Sequence, residues 1–194
     1  MEKRIRKHAS TYKGFGGPQS AEVWVDSDGA FKFNAQSDAN HACAVVHTFK
    51  IPVSAATNAE QDTTFDLPAK AIVMDVFVEV TTAEVTGSTK TITVGTKAGE
   101  SGGVAAGFLN GVSVAATGMK KGAVTVTSGV WASNTYGSNL SDFTAGTNSD
   151  DRGLFTRKQY LTDSVTAKSI VWTPASAFTE FRGNIYIVLV EFTS

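Results

Sequence analysis

The sequence predicts an all-β protein, and three observations carry that prediction. Short segments of alternating apolar and polar residues recur along the chain, glycine and threonine are abundant, and long helix formers are few. The chain of 194 residues, 42% of them hydrophobic, is large enough for one sizeable core. We therefore expect a single β-sandwich of about eight strands, wired as a jelly roll, with long loops and an extended N-terminal arm.

The first strands are short. Residues 22–25 and 30–33 alternate in polarity, and the tight-turn sequence Asp26-Ser27-Asp28-Gly29 separates them. Residues 43–51 predict a third strand, which Pro52 closes.

The clearest strand covers residues 70–82. Asp75 and Glu79 share one of its faces, while the other face is apolar and consists of Ile72, Met74, Val76, Val78 and Val80. Alternation of this length predicts one buried and one partly wet face. Residues 89–95 repeat the pattern, and Gly87-Ser88 predicts a tight hairpin between the two strands.

The second half of the chain is less regular. Residues 98–122 are rich in Gly and Ala, with Phe108, Leu109 and Val112 as the anchoring contacts around one short helical turn. Residues 124–130 predict a strand, and residues 131–151 predict a long surface loop. Residues 170–172 predict a further strand. The last one, residues 184–192, is apolar on both faces and therefore belongs inside a sheet or between two sheets.

Charge divides the chain into an arm and a body. The formal net charge of −1 excludes a globally basic nucleic-acid-binding protein, and no apolar run is long enough to span a membrane. Residues 1–13 nevertheless carry a net charge of +4, and the glycines and proline of residues 14–18 predict a flexible joint. We expect residues 1–17 to form a basic, flexible arm and residues 18–194 to form the sandwich domain. The candidate partner-binding residues are the five basic ones of the arm: Lys3, Arg4, Arg6, Lys7 and Lys13.

No set of residues predicts catalysis, a metal site or a cofactor. The Gly99-Glu100-Ser101-Gly102-Gly103 segment matches a nucleophile-elbow pattern, but a Gly-rich stretch and not a helix follows it, so a turn is the better interpretation. His41 and His47 lie about 20 Å apart on an extended strand, too far for one ion to bridge with Cys43. Cys43 is the single cysteine and cannot form an internal disulfide.

Residues 67–114 carry a resemblance to a known class of proteins. The run Leu67-Pro68-Ala69-Lys70-Ala71-Ile72-Val73 opening a long strand, and the Thr-rich segment 89–95, resemble a recurring segment of tailed-bacteriophage virion proteins. Residues 107–114 and the closing strand at residues 183–187 are similar to such proteins as well.

The resemblance implies a non-enzymatic structural component of a phage particle, a jelly-roll decoration (cement) or head-fibre protein. Its implied partners are the major capsid protein or another virion protein and further copies of itself, with no nucleic acid and no membrane. It implies a location on the capsid surface of the virion, after synthesis in the host cytoplasm. The alternative is a receptor- or carbohydrate-binding module of a head or tail fibre, with Trp131, Asn134 and Tyr136 as the ligand-binding candidates.

Overall fold

Fifteen antiparallel strands make up the described part of the chain, which contains no helix. A computed structural model describes residues 20–25, 31–36, 43–147, 150–162 and 167–193, with side chains from residue 46 to residue 191 outside the gaps. The all-β prediction is confirmed. The strands are β1 (Ser20–Val25), β2 (Phe31–Gln36), β3 (Cys43–Ser54), β4 (Gln61–Leu67), β5 (Ala71–Thr82), β6 (Thr91–Thr96), β7 (Leu109–Ser113), β8 (Gly118–Lys121), β9 (Val124–Thr127), β10 (Val130–Asn134), β11 (Ser141–Ala145), β12 (Gly153–Arg157), β13 (Tyr160–Leu161), β14 (Lys168–Pro174) and β15 (Arg182–Thr193).

Eight of these strands form the predicted jelly roll. One sheet has the order β13-β5-β15-β3, with β8 also paired to β5, and the other has the order β4-β14-β6-β7. Counting only β3 to β8, β14 and β15 along the chain, the two sheets read 1-8-3-6 and 2-7-4-5. Two interleaved Greek keys wired in this way are a jelly roll. The remaining strands form small hairpins or extend an edge.

The inner faces of the two sheets share one core. Val76 and Val78 of β5 and Ile187 and Leu189 of β15, which the alternation predicts to be buried, are all 0% exposed. From the second sheet come buried side chains of β6, β7 and β14: Ile92, Val94, Leu109, Val112, Ile170 and Trp172. The two-sided apolar strand β15 lies between β3 and β5, as predicted.

The face of β5 that points into the core changes halfway along the strand. Ala71 and Val73 point into the core at its start, and Val76, Val78 and Val80 do so at its end. The register shifts between Val188 and Leu189 of the partner strand β15, and Met74 is the extra residue on β5. Such a bulge reverses the alternation. The prediction that Ile72 and Met74 face inward is therefore wrong.

The predicted hairpin at Gly87-Ser88 is wrong too. β5 and β6 belong to different sheets, and the connection between them crosses the top of the sandwich. Glu84 holds this crossing in place. It is 0% exposed, and its two carboxylate oxygens accept hydrogen bonds from both this connection and the segment before β15. A tight turn and a sheet-to-sheet crossing use the same residue types, so composition did not separate them.

The irregular middle of the chain contains more strands than predicted. The segment 98–122 holds β7 and β8 and no helical turn, while β11 and all but the first residue of β10 lie within the predicted loop 131–151. These strands have only four or five residues each, too few to show the apolar alternation that identifies a strand. The sequence did not predict β4, β12 and β13 either. β9 and β10 pair as one hairpin, and β11 and β12 pair as another.

Candidate interaction surface

The five predicted partner-binding residues lie outside the described residues, as does the whole segment 1–17. Their role stays a prediction. The strands predicted at residues 22–25 and 30–33 are present as the antiparallel pair β1 and β2, with Trp24 opposite Lys32.

The segment Gly99 to Gly103 forms turns, as predicted. The Gly103 amide donates to the carbonyl of Glu100 over 2.8 Å, and the Glu100 amide donates to the carbonyl of Lys97 over 3.1 Å. Glu100 also accepts a hydrogen bond from the Ser169 amide at 3.2 Å, and Lys168 donates to the Ser101 carbonyl. The acidic and polar groups of this motif therefore fasten the loop onto β14.

His47 is engaged within the sandwich. Its Nε2 lies 3.3 Å from Oε2 of Glu191, and its ring stacks on Phe49 at a centroid distance of 5.6 Å. His41 lies outside the described residues, and the side chain of Cys43 is not described. Within the described part of the chain, no three metal-ligating side chains come together. That part also contains no helix able to cross a membrane.

The aromatic candidates of the predicted loop anchor a small lobe built from β9 to β12. The Tyr136 ring stacks on Phe155 and lies beneath the Arg157 guanidinium, whose carbon is 3.9 Å from the ring centroid. The nitrogen and the oxygen of the Asn134 side-chain amide also form hydrogen bonds. Its Nδ2 donates to Ser141 over 2.9 Å, and its Oδ1 accepts from the Tyr136 amide. These contacts shape the lobe.

Arg157 also joins this lobe to the outer face of the five-stranded sheet, where it forms an ion pair with Asp75 at 3.2 Å. The pairing registers place the residues of that outer face in rows. Its rows, read across the strands, are Thr48–Val188–Asp75, then Lys50–Tyr186–Phe77–Lys121, then Pro52–Asn184–Glu79–Met119.

The polar side chains of these rows are tied to one another. Phe77 and Tyr186 stack at 5.1 Å, and the Lys50 ammonium lies 5.8 Å from the Tyr186 ring centroid. Glu79 Oε2 accepts hydrogen bonds from Asn184 at 2.8 Å and from the Tyr186 hydroxyl at 3.0 Å. These two hydrogen bonds hold the pKa of Glu79 below its ordinary value. Both carboxylates of the face, Asp75 and Glu79, are thus already engaged by partners of this chain.

One further row on the same face is aliphatic throughout. Val190 of β15 lies opposite Val46 of β3 on one side and Ile72 of β5 on the other, and Leu161 of β13 lies opposite Ile72. Val46 is 62% exposed and Leu161 is 67% exposed, while the two central residues are half-buried. We call these four residues the aliphatic row. Sequence alternation missed it because the bulge at Met74 turns Ile72 outward and because β13 has only two residues.

The low-charge stretch 101–119 does not form such a surface. Its large apolar residues Phe108, Leu109, Val112 and Val114 are between 0% and 4% exposed and belong to the core. The sandwich itself covers these four residues. Val104, at 37% exposure, and Met119, at 58%, are the exceptions.

No protein-family model matches the chain, and no curated protein sequence matches it. Among solved structures, the chain is similar to one described as "Cyanophage Pam1 capsid asymmetric unit". The TM-score is 0.42 and the sequence identity 17%, over 83% of this chain and 92% of that chain.

Proposed function

We propose that this chain is a structural protein of a bacteriophage particle, which decorates or cements the capsid by contacts with neighbouring capsid subunits. The observation that carries the proposal is where the virion-like segments lie. Residues 67–82 enter and form β5, residues 89–95 lead into β6, residues 107–114 contain β7, and residues 183–187 begin β15. The resemblance thus lies on strands that build both sheets of the jelly roll, a fold used by capsid proteins.

The rest of the architecture supports a binding role without chemistry. A rigid sandwich, a fastened lobe of hairpins and a broad sheet face offer surfaces to neighbours. The three side chains predicted for sugar binding all make contacts within the lobe: Trp131 packs on Phe155, Asn134 donates to Ser141, and Tyr136 lies beneath Arg157. These contacts favour the structural role over the fibre module.

Electron cryo-microscopy of particles from the virus that encodes this chain tests the proposal directly. We expect density for the jelly roll at repeating positions on the capsid lattice, in contact with the major capsid protein. Particles made without the chain serve as the control and should lack that density. Density only at a fibre or tail, or particles that do not contain the chain, would contradict the capsid role.

The basic arm is the proposed tether of this attachment. Residues 1–13 carry a net charge of +4, so an acidic acceptor surface on the partner would gain several charge contacts, each weak and screened by salt. We expect binding to particles that lack the chain to weaken as ionic strength rises. Deleting residues 1–13 should lower the affinity several-fold and leave the melting temperature nearly unchanged.

A particle-binding assay and a thermal melt on the full chain and the deletion measure both effects. A chain in which Lys3, Arg4, Arg6, Lys7 and Lys13 are replaced by glutamine keeps the length and provides the matched control for charge. Unaltered binding of the deletion contradicts the tether. A large drop in melting temperature would instead make the segment part of the folded domain.

A further inference from the structure

Among the described residues, the aliphatic row is an exposed apolar feature of the sheet. Its members come from four strands, β3, β15, β5 and β13, and they line up in register across the sheet. No charged side chain interrupts the row. Two of its four residues, Val46 and Leu161, are more than 60% exposed. A contiguous aliphatic surface of this kind marks a site of contact.

We propose that the outer face of the five-stranded sheet, with the aliphatic row at one end of it, is the surface through which two copies of this chain associate. A two-fold axis lying between two such faces would bring the row of one copy onto the row of the other. A contact of this kind needs only one self-complementary patch. The contact depends on the fold and not on the proposed role in a virus particle.

The charges of the face allow a second copy to approach. Its basic residues are Lys50, Lys121, Arg157 and, at the start of β15, Arg182, and its acidic ones are Asp75 and Glu79. Asp75 is paired with Arg157, and Glu79 is bound by Asn184 and Tyr186. A two-fold axis that superposes the rows places Lys50 of one copy over Lys121 of the other, but both residues lie on edge strands, β3 and β8, where their ammonium groups can reach solvent at the rim. A basic partner, by contrast, would find both carboxylates of the face already engaged.

The size of the face is also sufficient. Four strands spaced about 4.8 Å apart and four rows spaced about 7 Å apart, with their side chains, cover on the order of 500 Å². Two copies would then bury about 1,000 Å², which is the lower limit for a specific protein–protein contact. A modest, concentration-dependent association is therefore expected.

Sedimentation equilibrium on the purified full chain tests this. We expect the wild type to self-associate below about 100 μM and Leu161→Asp to raise the dissociation constant at least about tenfold, because each contact would bury two carboxylates. Leu154→Asp is the matched control: Leu154 lies on β12, away from the row, and is 53% exposed. It should change the dissociation constant by less than about twofold.

A wild type that remains a monomer at about 100 μM overturns the proposal, and so do equal effects of Leu161→Asp and Leu154→Asp. A thermal melt checks that each variant is folded. Should Leu161→Asp fail that check, Val46→Asp probes the other end of the same row on a strand that is paired over its full length. Its dissociation constant should rise by a similar factor, and an unchanged value counts against the contact.

Discussion

Replacing Glu84 with glutamine should lower the free energy of unfolding by about 3 kcal/mol or more, the largest effect we expect from any single polar change in this protein. The Glu84 side chain is fully buried between the β5–β6 connection and the segment that leads into β15. Its carboxylate is the common acceptor for both segments. Without it, the two loops at the top of the sandwich would lose their shared acceptor and keep weaker links such as the hydrogen bond between the Thr86 and Thr179 hydroxyls.

The hydrogen bonds of Glu84 explain the size of the effect. Oε1 accepts from the amides of Thr86 and Gly87 and from the Thr86 hydroxyl, which lies 2.5 Å away. Oε2 accepts from three consecutive amides, those of residues 179–181, at 3.0 to 3.1 Å. A glutamine can place its oxygen against only one of these groups of donors. Its amide nitrogen would then face the other group, leaving donors opposite a donor.

The pH dependence of stability follows from the same contacts. Burial by itself would raise the pKa of Glu84, but the hydrogen bonds from the Thr86 hydroxyl and from the amides of Glu180, Thr86 and Phe181 outweigh it and hold the pKa far below 4.5. Below about pH 4.5 the unfolded chain binds a proton at this residue that the folded chain does not. The stabilisation is therefore complete above that pH and is lost as the pH falls.

Urea unfolding of wild type and Glu84→Gln across a pH series measures both effects. The difference between the two proteins should be largest near neutral pH and should shrink as the pH drops below 4.5. Glu180→Gln is the matched control, because Glu180 has an exposed side chain and its backbone amide is unchanged. It should change stability by less than about 0.5 kcal/mol. Equal losses in the two variants would show that the Glu84 contacts are not what holds the loops.

The sequence predicts the strands that are long and regular, and it does so for a physical reason. The alternation of β5 and the two-sided apolar character of β15 follow from burial, which imposes a two-residue period on any strand that faces a core. The jelly-roll wiring was predicted from the number of strands and the short turns between them. Val76, Val78, Ile187 and Leu189 are buried as that reasoning required.

What the sequence did not predict depends on contacts between distant residues. The bulge at Met74 exists because the register between β15 and β5 shifts there, and no local sequence pattern predicts this shift. The role of Glu84 is hidden for a similar reason, since three of its donors lie about 95 residues away in the chain. The aliphatic row joins residues of four strands, so it becomes visible only when the registers are known.

Truncating Leu189 to alanine should cost about 2–5 kcal/mol, the usual range for removing a large side chain from a packed core. Leu189 is 0% exposed on β15, the strand that pairs with both β3 and β5. It lies opposite Val73 of β5 on one side and opposite His47 of β3 on the other. Because a rigid sheet surrounds Leu189, the neighbouring side chains can only partly fill the cavity that the substitution leaves. The loss in free energy of unfolding should therefore be well above that for truncating an exposed leucine.

Leu154→Ala provides the control, since it removes the same atoms from a side chain that is 53% exposed on β12. We expect its cost to stay below about 0.5 kcal/mol. Denaturant unfolding of both variants at one fixed protein concentration separates the two, with a lower midpoint and an unchanged slope for Leu189→Ala. A midpoint equal to that of wild type would mean that Leu189 does not face the core, and the register of β15 against β5 would then have to be wrong by one residue.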